Sequence, residues 1–290
     1  MEVLAGRFRG SLLDRSTQRW VRLTGRQVDL QREEWLAGPC GDHDRIGESW
    51  LLREAARLGG SVLDSDRALG LLPTMTVLDG PAFDSSALRR QVRDFYEQTE
   101  RWQLELQSQW SAWAWPFGWL ISALFARRLD QLSLPLRAKD VADGMTSQLT
   151  SVVDRNGRLI GSSWRRRLRA TGATTYSGWY QAVALPGTRQ PSVRVVFPLP
   201  NGRLVVFLRP EVSTVGGLTL ISPAGGWGDD GAYLVVERGS GSPVWARRIP
   251  VRESFHVYVD AQDVLRTDHV LGLWSVPALR LQYRLSAIDG

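Results

Sequence analysis

The chain has 290 residues, a net charge of +6 and one cysteine. That length buries a core without cross-links, and Cys40 alone, beside three histidines, excludes an intrachain disulfide and the usual Cys/His zinc frameworks. Only Lys139 among the 36 basic residues is lysine, and the arginines are spread widely, so no nucleic-acid partner is expected.

The opening stretch MEVLAGRFRGSLLDR lacks the apolar run and cleavage site of a secretory signal, and no stretch reaches the length of a membrane span. With one cysteine, this points to a reducing, cytoplasmic setting. Residues 1–36 show no clean period and read as short elements or an arm. Asp42-His43-Asp44 offers three metal-ligand types, but adjacent residues rarely converge on one ion, so no metal site is assigned. A helix is expected over 47–58, with Trp50, Leu51, Ala55 and Leu58 on one side and Gly59-Gly60 stopping it.

After a loop-rich stretch, Asp84 offers an N-cap for a helix from Ala87, with Leu88, Val92, Phe95 and Thr99 as its apolar stripe. At Trp102 the period changes to two, and Trp102, Leu104, Leu106, Ser108 and Trp110 alternate with polar residues, which predicts a strand. Residues 113–126, WAWPFGWLISALFA, form the most apolar region and predict a short helix, either buried or lying at a membrane interface with its tryptophans at headgroup level.

From Met145 onward the pattern is all-β, with strands expected over 146–154, 159–169, 174–185, 218–222, 232–237, 244–249, 254–259, 264–273 and 279–286, punctuated by Gly- and Asn-rich turns. Between them lies the hairpin Ser192 to Pro210. If Asn201-Gly202 closes it, Arg194 faces Arg209, one face carries Val195, Phe197, Leu199, Leu204, Val206 and Leu208, and the other carries Val196, Pro198, Val205 and Phe207. Opposed arginines call for an anion, either a protein carboxylate or a ligand's acidic group. Gly226 to Gly231 formally matches G-x-G-x-x-G, but a strand follows it instead of a helix, and it reads as a loop.

The fold class is therefore α+β: a mainly helical region with at least one strand over 1–143, packed on an antiparallel β-barrel or sandwich over 144–290, the two being either separate or parts of one continuous core. The β-rich part resembles a lipocalin-like cup in strand count and meander, a likeness of pattern that carries no activity with it. A four-residue turn 260–263 would pair 253–259 with 264–270 and set Glu253, Arg266 and Asp268 on one apolar face, with Arg266 bridging Asp268 or Glu253 and His269 on the opposite face.

Thirteen tryptophans suit the lining of an apolar ligand cavity. The leading expectation is a protein that binds an apolar or acidic small molecule through Arg194, Arg209, Phe207 and Arg266, with no cofactor. The alternatives are an isomerase, cyclase or hydrolase using Glu253, Asp268 and His269 in the same cavity, and a peripheral membrane or scaffold protein docking through 113–126.

Overall fold

The computed structural model describes residues 12–41, 49–63, 70–110, 145–169, 172, 174–237 and 241–288. The Asp42-His43-Asp44 cluster, the apolar stretch 113–126 and the boundary at 143–144 lie outside them.

The described N-terminal residues hold three helices, α1 (Leu12–Thr24), α2 (Ser49–Arg57) and α3 (Arg90–Glu97), together with 3-10 turns and the strands β1 (Arg26–Val28), β2 (Ser61–Leu63) and β3 (Trp102–Trp110). Among the described residues, helices and strands are thus mixed, which gives only weak support to a mainly helical region. Helices this short are marginal alone and persist because they pack on the sheet. In α2, Trp50, Leu51 and Ala55 are buried, and Glu54 takes both its bonds from Arg57, at 2.7 and 2.8 Å. The α1 helix escaped the sequence pattern because its buried face is narrow: Val21 and Gln18 turn inward, while Trp20 and Leu23 face out.

The C-terminal part carries β4 (Met145–Val153), β5 (Leu159–Leu168), β6 (Thr174–Ala184), β7 (Pro191–Leu199), β8 (Gly202–Val212), β9 (Leu218–Ile221), β10 (Gly231–Val236), β11 (Val244–Ile249), β12 (Val251–Val259), β13 (Leu265–Leu273) and β14 (Val276–Ala287). Together with the N-terminal strands they make one antiparallel sheet in the order β2-β4-β5-β6-β7-β8-β9-β12-β13-β14-β3. It branches at β8, whose first half pairs with β10 and whose second half pairs with β9, while β10 continues to β11 and β1. No pairing among the described residues joins β3 to β4, so the sheet they form is not closed, and a sandwich fits it.

Inward residues from β3 through β14 share one core with residues 71–96, including Leu104, Leu149, Trp164, Phe197, Leu208, Leu220 and Leu281. The outer faces of β6, β7 and β8 bury a second core against α2 and the turn Glu34–Leu36, built on Trp35, Trp50, Trp179, Phe207 and Tyr233. Residues 70–101 fill one end of the sandwich. There Gln190 Nε2 donates to Leu78 O at 2.8 Å, Arg89 N to Gly216 O at 2.8 Å, and Gln91 Nε2 to Asp263 Oδ1 at 2.9 Å. The opposite end carries Trp110, Met145, Leu168, Val251 and the tip joining β13 to β14.

Both hairpin registers differ from those expected. In the β7–β8 hairpin the closing pair is Leu199 with Gly202, so Pro200-Asn201 forms the loop and Arg194 faces Phe207 instead of Arg209. Proline fixes the negative φ of the first loop position, Asn201 takes the second at φ 54°, and Gly202 enters the strand, a type II-like solution. The shift of two residues leaves the predicted faces intact. The tip is anchored, since Gln18 Nε2 donates to Pro200 O at 3.2 Å and Asn201 N to Gly41 O at 2.9 Å.

In the β12–β13 hairpin Val259 pairs with Leu265, which lengthens the loop to 260–264. Asp260 Oδ1 accepts from the amides of Gln262 and Val264, each at 2.9 Å, and Asp263 adopts φ 58°, so the loop gains one residue. A slip of one exchanges the faces. Glu253, Phe255, Val257 and Val259 therefore share the inner side with Thr267 and His269, whereas Arg266 and Asp268 face out beside His256 and Tyr258.

Candidate functional site

The period of two along five strands converges a polar and aromatic group on the inner face, away from the end that 70–101 fill. From β5 come Trp164 and Arg166, from β6 Tyr176 and Tyr180, from β12 Glu253 and Phe255, from β13 His269, and from β14 Tyr283. The Arg166 guanidinium lies 3.7 Å from the Trp164 ring centre, 5.1 Å from Tyr283 and 5.4 Å from Tyr176, and a cation held over aromatic faces in this way is favoured by their quadrupoles. Tyr176 and Tyr180 share a short hydrogen bond between their hydroxyls, and Phe197 meets Tyr176 edge-on at 5.3 Å. Trp164 is fixed by its Nε1, which donates to Ser147 Oγ at 2.6 Å.

Across from them the His269 ring stacks on Phe255, centroids 3.9 Å apart and planes 15° from parallel. Glu253 Oε2 stands 3.9 Å from His269 Nε2, a nitrogen that has no hydrogen-bond partner among the described residues. Burial lifts the Glu253 carboxyl to about 7. Burial, and then the positive charge of Arg166, push His269 down to about 3. The imidazole is thus neutral near pH 7, and its contact with Glu253 is not an ion pair. Burial also raises Tyr176, Tyr180 and Tyr283, while Arg166 opposes the shift in each. All three hydroxyls stay protonated and can donate. Glu253 and His269 keep 14% and 11% of their side-chain surface accessible, and Arg166, Tyr176 and Phe255 are likewise only partly covered. These groups pack at the edge of the main core, with Trp164, Tyr180 and Tyr283 inside it and Tyr176 and Phe255 against it.

Of the residues singled out in the sequence, only Glu253 and His269 meet here. Asp268 lies on the outer face, accepting from Gln282 Nε2 at 3.1 Å and Tyr258 Oη at 3.4 Å. Arg266 bridges neither Glu253 nor Asp268. It pairs with Asp260 at the hairpin turn, as the shifted register requires. Arg194 and Phe207 face the second core, where Phe207 packs against Trp35 and Tyr233. The Arg194 Nη1 donates to the carbonyls of Glu34, Trp35 and Ala37 at 3.4, 3.2 and 3.0 Å, and Nη2 to Gln181. Arg203, four rungs along the β7–β8 ladder, holds Leu36 O at 3.2 Å and pairs with Glu237. Backbone dipoles and Glu237 thus supply the negative charge that crowded arginines need. Burial lowers Arg194 to about 10. Arg209 is turned away to Glu211, at 2.9 Å.

Two open clefts flank this second core. One, of about 390 Å³, is bounded by Trp35, Arg57, Gln181 and Arg194. The other, of about 650 Å³, is bounded by Cys40, Trp50, Glu54, Arg203 and Glu237. Cys40 is inert, since burial and the neighbouring Glu237 push its thiol up to about 12.

Sequence reasoning missed Arg166, Tyr176, Tyr180 and Tyr283. A signal was present, because Trp164 and Arg166 are two apart and Tyr176 and Tyr180 four apart on predicted strands, which puts each pair on one face.

No family model matches the sequence, and no solved structure matches it. The chain is 24% identical over 250 residues to an "Uncharacterized membrane protein YndJ" of Bacillus subtilis (strain 168), an alignment covering 84% of this chain and 42% of that protein. The chain thus spans less than half the length of that relative. Among the described residues no helix is long and apolar enough to cross a membrane.

Proposed function

We propose that the inner face binds an apolar small molecule carrying an acidic or carbonyl group. One observation carries this reading: Arg166, held over three aromatic rings, and the Glu253–His269 pair face one another on an inward surface that retains access. Aromatic and aliphatic side chains would take the apolar body, and the guanidinium and tyrosine hydroxyls the oxygen atoms. The expected ligand set of Arg194, Arg209, Phe207 and Arg266 gives way to Arg166, Tyr176, Tyr180 and Tyr283, because those four arginine and phenylalanine side chains are spread over other faces. The single cysteine fits a reducing compartment, and cytoplasmic placement is part of this proposal.

The test is titration with the apolar anionic dye anilinonaphthalene sulfonate. The native protein should enhance its fluorescence saturably, and Arg166→Gln should weaken capture about tenfold with the folded spectrum retained. Equal capture by the native protein and Arg166→Gln would refute the site.

A second reading, an isomerase, cyclase or hydrolase using the same cavity, is favoured by the position of Glu253 near neutrality, where a carboxyl can both give and take a proton. Its mark would be Glu253→Gln retaining dye capture while losing turnover. A third reading, peripheral membrane contact through 113–126, draws support from the composition of that stretch and from the membrane protein named among the relatives.

A further inference from the structure

We propose that the tip of the β13–β14 hairpin docks on the anionic surface of a lipid bilayer. Leu273 pairs with Val276, so the loop is Trp274-Ser275, two residues long. Trp274 occupies its first position at φ 55°, a conformation that glycine takes without cost and a bulky side chain adopts only under strain. The ring gains no burial in return. Trp274 is 64% exposed and Val276 45%, so the strain presents apolar surface to solvent instead of hiding it. The tip is held firmly, since Trp274 N donates to Pro250 O at 2.7 Å.

Among the described residues, arginines gather at this end of the sandwich. Arg252 lies opposite Gly272 and Arg280 opposite Val270, both exposed on the outer face, and Arg167 and Arg169 stand exposed where β5 ends. Of the described acids, Glu253 points inward, Asp229 accepts from Gly226 N, and Asp230 accepts from Ser192 Oγ. A tryptophan on a projecting two-residue tip, flanked by arginines, suits the headgroup region, where the ring sits at the interface and guanidinium groups meet phosphate. It suits a protein partner poorly, because a tip of this size falls far short of the area that a stable protein interface buries.

Flotation of the full chain with vesicles tests this directly. The protein should float with vesicles of phosphatidylcholine and phosphatidylglycerol, less with phosphatidylcholine alone, and less again in high salt. Trp274→Gly combined with Val276→Ser should lower partition about tenfold or more, and because glycine accepts the positive φ the variant should melt no earlier than the native protein. Arg252→Gln and Arg280→Gln should each cost about fivefold on the anionic vesicles only. Native protein that fails to float with the mixed vesicles, floats equally with both compositions, or is matched by the double tip variant would overturn the proposal. Dye capture by the interior site is read separately in the same variants, so its fate and that of the docking tip are distinguishable.

Discussion

Glu253 Oε2 lies 3.9 Å from His269 Nε2 on the inner face of the sheet, and burial drives the two groups in opposite directions. Each therefore penalises the native state on its own side of the pH scale. The Glu253 carboxyl rises from 4.5 to about 7, so the native state binds the proton more tightly, and stability falls as pH rises from 4.5 through 7. His269 falls from 6.5 to about 3, so the unfolded state binds the proton more tightly, and stability falls as pH drops from 6.5 toward 3. Between 4.5 and 6.5 the two slopes oppose one another. The thermal midpoint should be flat there and decline on both sides, by at most about 1.4 kcal/mol per pH unit from each group. Glu253→Gln should remove the alkaline decline and His269→Phe the acid one. A midpoint that keeps both limbs in the two variants would place the titrating groups elsewhere.

Capture of an acidic ligand should follow the same carboxyl. Protonated Glu253 donates to a ligand oxygen, whereas ionised Glu253 repels it, so dye affinity should fall as pH passes 7. Glu253→Gln, which stays neutral, should level the profile. A dye affinity independent of pH in the native protein would count against Glu253 facing the ligand.

Arg194→Met should be severe. The three carbonyls of the turn 34–37 would lose a buried donor, at a cost of about 2–4 kcal/mol, and lysine should not rescue it because one ammonium lacks the planar fork. Arg266→Met is the contrasting case. Its guanidinium lies at the surface beside Asp260, and the denaturation midpoint should hardly move. The two variants compared in urea check this assignment of buried and exposed arginine.

Gly202→Ala should destabilise by about 2 kcal/mol or more. The reason is crowding: a Cβ at 202 would fall far inside the van der Waals contact distance to the Val235 carbonyl oxygen, where β8 meets β10. Asn201→Gly should be close to neutral, because position 201 is the one that holds a positive φ. Equal effects at both positions would favour the Asn201-Gly202 turn instead.

The strands were readable in the sequence because alternation over 102–110 and 145–287 is a local property that burial on one face imposes. Val244–Ile249 and Trp102–Trp110 occur as expected, and most other strand ends agree within two residues. Register was less readable, since it depended on single side chains: Pro200 moved one turn by two residues and kept the faces, while the Asp260 carboxylate lengthened the other by one and exchanged them. Glu253 and His269 were singled out, yet as members of opposite faces. Arg166, Tyr176 and Tyr283 join them only because the sheet brings β5 and β6 across from β12–β14, a relationship that no local spacing encodes.

The branching of β8 also ranks the parts of the molecule by how they come open. Val205 and Val206 pair with β7 on one side and β10 on the other, and the same strand passes on to β9, so its amides are released only when both cores separate. The three-residue strands β1 and β2, each paired along one edge only, can fray alone. Hydrogen exchange should accordingly be slowest along Val205–Leu208 and fastest at those two edges, with β8 as the last element to surrender its protons to solvent.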